Sequence, residues 1–223
     1  MNLNGHKIVK PSKIFLLSHK LSSVDSTVEL EDKVTRSITS HSWSFDDAHS
    51  DLLRIADTYF NPLDIKFRFF VSPDLIWHTE KRNYNFVCSQ LKDNSAKLLN
   101  WIDISYLISC GHHIGSHGLD HSAFDDMSAL EVSRQLSLSK ERIAEKTGKI
   151  PDTFAIPFGR LGKNSSMVTD LVFKNYTRLY LSDNRLPLGS INGTINRRHS
   201  EFGQGYLRAL AIGVFNIIGL TRS

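Results

Sequence analysis

The sequence predicts an α/β domain built on a largely parallel sheet, either open or closed as a barrel. Strand-like and helix-like segments alternate along the chain, and no internal repeat or linker rich in Pro, Gly and Ser divides it. The 223 residues, 40% hydrophobic and 22% charged, are enough to bury a substantial core. We therefore expect one domain over residues 1–223, with functional loops at the carboxyl ends of its strands.

The first half of the chain contains three strand-like segments and one helix-like segment. Apolar runs predict strands at Ile14–Ser18, Ser37–Phe45 and Ile65–Val71, the last reading IKFRFFV. Between the second and third strands, Ser50–Tyr59 is predicted to be a helix. The order β, β, α, β is consistent with a parallel sheet.

Two further helices are predicted in the middle of the chain. Trp101–Ser109 predicts a helix that ends at Gly111, because glycine suits a left-handed cap. Ser128 and Glu131 form a capping box at the start of a second helix, and Gly148 marks its end. Four apolar residues are assigned to the buried side of that helix: Leu130, Val132, Leu136 and Ile143.

Charge and cysteine content exclude several classes of protein. The net charge of +4 comes from lysines and arginines scattered along the chain, so nothing indicates a nucleic-acid partner. Cys88 and Cys110 are too few for a disulfide framework, which favours a reducing compartment.

The N-terminal segment lacks the apolar stretch of an export signal, so we expect a cytoplasmic protein. The apolar segment 209–220 is too short to span a bilayer and is expected to be a closing helix or strand, with a membrane-surface contact as the alternative.

The first candidate site is the sequence SWSFDDAHSD, in which a strand-like run stops at Asp46–Asp47. If strand geometry persists, adjacent carboxylates point in different directions and can serve two tasks in one site. The alternative is that one of them caps the helix Ser50–Tyr59 and the other is solvated.

The second candidate site lies in CGHHIGSHGLDHSAFDD, residues 110–126. If Gly118–His121 begins a helical turn, His117 and His121 lie on one face and can reach one ion. With a carboxylate they form a His₂Asp site with an open coordination position, which is typical of catalytic zinc. Zn²⁺ suits these ligands best, although Co²⁺ or Ni²⁺ would also bind.

A third segment, FAIPFGR at residues 154–160, is a strand that ends in a Pro/Gly turn. Together with S-F-D-D and G-H-H-I-G-S-H-G-L-D-H, in this order, it resembles the motifs of the polysaccharide deacetylase family, the NodB-homology carbohydrate esterases. The motifs of that family run T-F-D-D, then G-H-E-I-G-S-H-T-x-x-H, then either R-x-P-x-G or F-A-Y-P-Y-G. The resemblance covers roughly residues 38–200.

The resemblance implies a distorted (β/α) barrel with fewer than eight units. It also implies a metal-dependent hydrolase that removes the acetyl group from an N-acetylated sugar of a glycan or a glycan precursor. Asp47, His117 and His121 resemble the metal ligands, and Asp46 resembles the general base. The turn Pro157, Phe158 and Gly159 would face the substrate, with a backbone N–H near Phe158–Gly159 stabilising the oxyanion.

The sequence departs from the family at several positions. Gly118 replaces a hydroxyl residue, and Ala155 stands where many relatives carry the arginine that pairs with the base. We expect Arg197, or alternatively Arg198, to take over that pairing. The leaving amine also needs an acid, and His199 is the candidate because it is the only histidine after His121.

The roles of three other histidines and two alternative functions complete the interpretation of the sequence. His112 and His113 are interpreted as structural, and His199 could equally be a solvated surface residue. Because of Gly118 and Ala155, the chain could be a catalytically inactive barrel that binds glycan or metal. It could also be a deacylase of a non-sugar amide.

Overall fold

The structure is a computed structural model and describes residues 14–18, 41–77, 97–183, 185–186 and 189–199. These residues contain nine strands in one sheet, in the order β7-β8-β6-β5-β4-β3-β2-β1-β9. All neighbours pair in parallel except β7 and β8. The strands are β1 (Ile14–Ser18), β2 (His41–Phe45), β3 (Arg68–Val71), β4 (His113–Ser116), β5 (Thr153–Ala155), β6 (Arg178–Leu181), β7 (Gly189–Ile191), β8 (Thr194–Asn196) and β9 (Arg198–His199).

One extended segment closes this sheet into a barrel. Strand β8 pairs with β6, where Ile195 lies opposite Tyr180, and β9 pairs with β1, where His199 lies opposite Leu17. Arg197 alone separates β8 from β9, so the segment 194–199 borders both ends of the parallel series. The expected distorted (β/α) barrel with fewer than eight units is confirmed.

Five α-helices connect the described strands. They are α1 (Asp51–Ile55), α2 (Pro73–Trp77), α3 (Trp101–Ser109), α4 (Ala129–Thr147) and α5 (Ser165–Asn175). The capping box of Ser128 and Glu131 begins α4, and Gly148 ends it with a φ of 67°. Helix α3 has the expected bounds, and Gly111 follows it with a φ of 89°.

Three details differ from the sequence-based expectations. Leu130 is 80% exposed, whereas Val132 is buried, because residues two positions apart on a helix lie about 200° apart around its axis. The helix expected at Ser50–Tyr59 is α1 followed by a π-helical turn at Ala56–Phe60. The strand expected at Ile65–Val71 starts only at Arg68. Residues 37–40 of the second expected strand lie outside the described part of the chain.

The core follows the alternation of side chains along the strands. On β3, Phe69 and Val71 face outward and pack in a cluster with α1 and α3. Phe70 faces the inside of the barrel and packs with Ala155, Tyr180 and Ile195. A further cluster joins β5 and β6 to α4 and α5. The two faces of the sheet therefore carry separate cores, and the inner one lies beneath the loops that hold the candidate site.

Several expectations concern residues that the structure does not describe. The apolar segment 209–220 and Cys88 both lie outside the described residues. Across the described ranges, no helix has the length and apolar character needed to cross a bilayer.

Candidate metal and catalytic site

The candidate residues meet at the carboxyl ends of three barrel strands. Asp46 and Asp47 follow β2, His117 follows β4, and Pro157 lies two residues after the end of β5. The strands β2, β3, β4 and β5 are consecutive in the sheet. Because parallel strands end at the same edge, the three loops enclose one site.

Asp46 and Asp47 diverge because the backbone turns sharply after β2. Asp47 and Ala48 both have left-handed φ angles, 66° and 51°. Strand geometry therefore ends at Phe45, and the expected alternation of the two carboxylates along a strand is wrong. Neither of them caps α1, whose N-cap is Ser50. Left-handed residues other than glycine carry a conformational cost of about 1–3 kcal/mol each, and they concentrate at functional sites.

Asp47, His117 and His121 form a buried cluster with the composition of a metal site. One ligand atom from each lies within 4.8 Å of the others. Oδ1 of Asp47 lies 3.2 Å from Nε2 of His121 and 3.5 Å from Nε2 of His117. Two imidazoles and one carboxylate are the ligands of catalytic zinc sites that keep an open position. The donor set fits a divalent ion.

The two histidines are not brought together by a helix. Residues 117–121 form an irregular loop in which His121 has a φ of 62°, so the expected helical turn is wrong. The imidazole rings nevertheless lie 4.8 Å apart in an edge-on arrangement. Gly118 has a φ of 77°, a left-handed conformation that glycine adopts without steric cost.

Hydrogen bonding sets the tautomer of His117. Its Nδ1–H donates to the carbonyl of Ala155 at 2.8 Å, which leaves Nε2 as the lone-pair nitrogen that faces Asp47. Burial lowers the pKa of His117, so the ring is held neutral. A neutral imidazole with its outer N–H anchored to a carbonyl is the usual form of a metal-binding histidine.

The loop that carries both histidines is held by Gln135 on α4. Its Oε1 accepts from the N–H of Leu119 at 2.7 Å, and its Nε2 donates to Oδ1 of Asp120 at 2.9 Å. The sequence analysis did not identify Gln135. A signal was present, since this polar residue falls on the buried side of α4 beside Val132 and Leu136.

Asp46 has a different partner, Arg197. The guanidinium of Arg197 donates to both carboxylate oxygens of Asp46, at 2.7 and 2.9 Å. It also donates to Oγ of Ser44 at 3.0 Å and lies over the rings of Phe70 and Tyr180. Arg197 is fully buried inside the barrel. Of the two arginines considered from the sequence, the structure therefore places Arg197 against Asp46.

The turn after β5 presents an aromatic side chain beside the metal cluster. Phe158 is 49% exposed, and its ring lies 4.8 Å from that of His121. The N–H of Gly159 donates to the carbonyl of Ile156, and a Cβ at Gly159 would lie 1.9 Å from Oγ of Ser182. Pro157 and Gly159 are buried, so Phe158 is the residue of this turn that faces outward.

The position of His199 is described only for its backbone. It lies on β9 opposite Leu17, two residues after Arg197. Its side chain, like that of Arg198, lies outside the described part of the structure. Its assignment as the acid therefore stays a prediction.

His112 directly precedes β4 and His113 is its first residue, and neither belongs to the metal cluster. The ring of His112 is buried and stacks on Phe67 with the centroids 3.7 Å apart. Its Nδ1 accepts from the N–H of Phe67, so its Nε2–H donates to Oδ1 of Asn61 at 3.0 Å. Burial, assisted by the charge of Lys66, lowers the pKa of His112 to about 4.

The fold and the cluster define the class of protein: an α/β barrel with a candidate hydrolase site at the carboxyl ends of its strands. The sequence profile of the polysaccharide deacetylases matches residues 33–177, and the chain belongs to that family. Among curated proteins, none matches the sequence.

Several solved structures, including two named as deacetylases, share this fold at low sequence identity. IcaB from Ammonifex degensii is 13% identical with a TM-score of 0.63, over 91% of this chain and 97% of that chain. The Streptococcus pyogenes deacetylase PplD in complex with acetate is 16% identical with a TM-score of 0.61, over 90% and 99%. The BpsB deacetylase domain from Bordetella bronchiseptica is 11% identical with a TM-score of 0.63, over 86% and 98%.

Proposed function

We propose that this protein is a metal-dependent hydrolase that removes the acetyl group from an N-acetylated sugar of a glycan or glycan precursor. One observation carries the proposal: two adjacent carboxylates have different partners. Asp47 joins the histidines, while Asp46 is held by Arg197. Amide hydrolysis by a metal site needs one carboxylate as ligand and another as base, and this arrangement supplies both.

Asp47, His117 and His121 would hold the ion, for which Zn²⁺ is the best match. When bound, such an ion polarises the acetyl carbonyl and lowers the pKa of a water molecule. The chain contributes orientation. The carbonyl of Ala155 fixes the ring of His117, and Gln135 fixes the loop on which both histidines lie.

We assign Asp46 as the general base. Its Oδ2 lies 3.8 Å from Nε2 of His117, so the carboxylate borders the metal cluster without belonging to it. Arg197 fixes the plane of the carboxylate through two parallel hydrogen bonds and offsets its buried charge. In this position Asp46 would take the proton of the attacking water.

The oxyanion and the leaving amine need one donor each. Because the N–H of Gly159 is already bonded to Ile156, we assign the oxyanion to the N–H of Phe158. His199 is our first candidate for the acid. His19 is the second, because it follows Ser18, the residue of β1 that pairs with Phe45 directly before Asp46.

The test is acetate release from N-acetylated chito-oligomers by purified protein, before and after metal removal by a chelator. We expect release that is lost with the metal and restored by Zn²⁺. Metal binding without acetate release would favour the inactive barrel. Release from a simple acetylated amine but not from the oligomers would favour a non-sugar deacylase. Absence of both metal and activity would overturn the proposal.

A further inference from the structure

The amino-terminal mouth of the barrel contains a cavity that the proposed reaction does not use. It has a volume of about 420 Å³, and none of the residues of the metal cluster lines it. Arg68, His113 and Arg178, which are the first residues of β3, β4 and β6, lie on its wall. Because the metal cluster follows the carboxyl ends of the strands, the cavity is at the opposite end of the barrel.

The polar part of this wall is cationic. Lys66, Arg68 and Arg178 supply the positive charge, the imidazole of His113 and the hydroxyl groups of serine residues complete the polar lining, and no acidic residue is among its lining residues in the described part of the chain. Two carboxylates lie nearby: Asp64 is 2.8 Å from Lys66, and Asp152 is 3.6 Å from Arg68. These two carboxylates partly neutralise Lys66 and Arg68, but they do not line the cavity themselves.

Arg68 is held in place, whereas Arg178 is available. The guanidinium of Arg68 donates to Oγ1 of Thr153 at 3.3 Å and lies over the ring of Tyr180. Arg178 is exposed, and no carboxylate of the described residues lies within ion-pair distance of it. The backbone positions of Arg68 and His113 pair directly, and those of Thr153 and Arg178 also pair. The basic side chains thus follow one edge of the sheet.

The remaining wall of the cavity is apolar. Tyr180 and Ile195 of the inner cluster line it, together with Trp43 and Phe67, which belong to the cluster on the outer face of the sheet. A volume of about 420 Å³ exceeds what an inorganic ion needs and falls in the range of small-molecule sites. The cavity therefore combines charge for an anionic group with apolar surface for the body of a small organic molecule.

We propose that this cavity is a second ligand site, which binds a small organic molecule that carries a phosphate group. Arginine forks match the oxygen geometry of phosphate, and a dianion makes fuller use of several cations than a single carboxylate does. Burial together with the charges of Arg68 and Arg178 lowers the pKa of His113, which is consistent with a positive potential at this mouth. The site is independent of the proposed deacetylase activity.

The probe is phenyl phosphate, titrated calorimetrically into the metal-loaded full chain at constant ionic strength. We expect saturable binding that weakens as salt increases. Benzoate separates a carboxylate from a phosphate ligand, and phenol tests whether the apolar wall suffices. Benzoate binding as tightly as phenyl phosphate would replace the phosphate assignment with a general anion site and so overturn it.

Arg178→Gln is the informative variant because the side chain is exposed and its loss leaves the fold intact. We expect the affinity for phenyl phosphate to fall about tenfold or more, as for the loss of a charge-assisted bond. Arg134→Gln, at an exposed position on α4, is the matched control and should bind like the wild type.

Equal weakening in both variants, or no saturable binding to the wild type, overturns the proposal. Binding at the metal cluster instead would be insensitive to Arg178→Gln. Movement of the His113 ring resonances on titration gives a second measurement that needs no variant.

Discussion

Arg197 and Asp46 are 151 residues apart in sequence and form a bidentate ion pair inside the barrel. The arginine lies in the segment that closes the sheet, between β8 and β9, whereas the aspartate follows β2. Closure of the barrel and orientation of the proposed base therefore depend on the same contact. The small side chain of Ala155 belongs to the inner cluster with Phe70 and Tyr180, the two rings over which the guanidinium lies.

The first prediction concerns this pair. Arg197→Ala leaves the buried carboxylate of Asp46 without its main counter-charge, which costs about 3–5 kcal/mol in comparable buried pairs. We expect a corresponding loss in the free energy of unfolding, measured by urea denaturation. The double variant Asp46→Asn/Arg197→Met should recover much of it. If the single variant is as stable as the wild type, the pair does not hold the barrel closed.

The second prediction separates the two neighbouring aspartates. Asp47→Asn should weaken metal binding and abolish acetate release together, because a neutral amide is a poor ligand for a dication. Asp46→Asn should keep the metal and lose about 10²–10⁴-fold in rate, the contribution of a positioned general base. Metal content and initial rate are measured for both variants side by side. Identical behaviour in both assays would refute the division of roles.

The motif residues could be placed from the sequence because strand ends and helix caps are local features. Helix α3 has the predicted bounds, and α4 has the predicted capping box and glycine stop. The loop conformations could not be predicted, since the left-handed angles of Asp47 and His121 depend on the contacts around them. Closure of the barrel by the segment 194–199 is also a long-range property. The sequence supplied Arg197 as one of two candidates, and only the fold shows which one reaches Asp46.

The third prediction tests how the histidine loop is positioned. Gln135→Leu keeps the volume of the side chain but removes the hydrogen bonds to Leu119 and Asp120. Loss of a group that orients metal ligands lowers metal affinity by about 10–100-fold. Affinity is measured by competition with a chromophoric chelator. Ser139→Ala is the control, because Ser139 is buried on the same helix but bonds Ser116 and Tyr176. If both variants bind the metal as tightly as the wild type, the loop holds its own shape without Gln135.

The fourth prediction concerns the acid. His199→Ala and His19→Ala should both retain the metal, and only the variant that lacks the acid should lose turnover. The deficit should shrink for a substrate with an activated leaving group, such as an acetanilide with an electron-withdrawing substituent, because a good leaving group needs less protonation. Full activity in His199→Ala would reassign the acid to His19. Full activity in both would mean that another group protonates the amine.

The last prediction is a pH dependence of stability caused by His112. Its Nδ1 accepts from the N–H of Phe67, so protonation would bring two N–H groups face to face in a buried position. The folded-state pKa of about 4 lies below the ordinary value of 6.5. Between these values the unfolded chain binds the proton and the folded chain does not. The stabilising effect of neutral His112 is therefore fully present above pH 6.5 and is lost progressively as the pH falls toward 4.

Urea midpoints measured across this range should fall more steeply for the wild type than for His112→Gln. The pKa of the exposed neighbour His113 is also lowered, so His113→Gln should reduce the slope too, but by less than His112→Gln. A slope that is unchanged in His112→Gln would mean that the acid sensitivity arises from other groups.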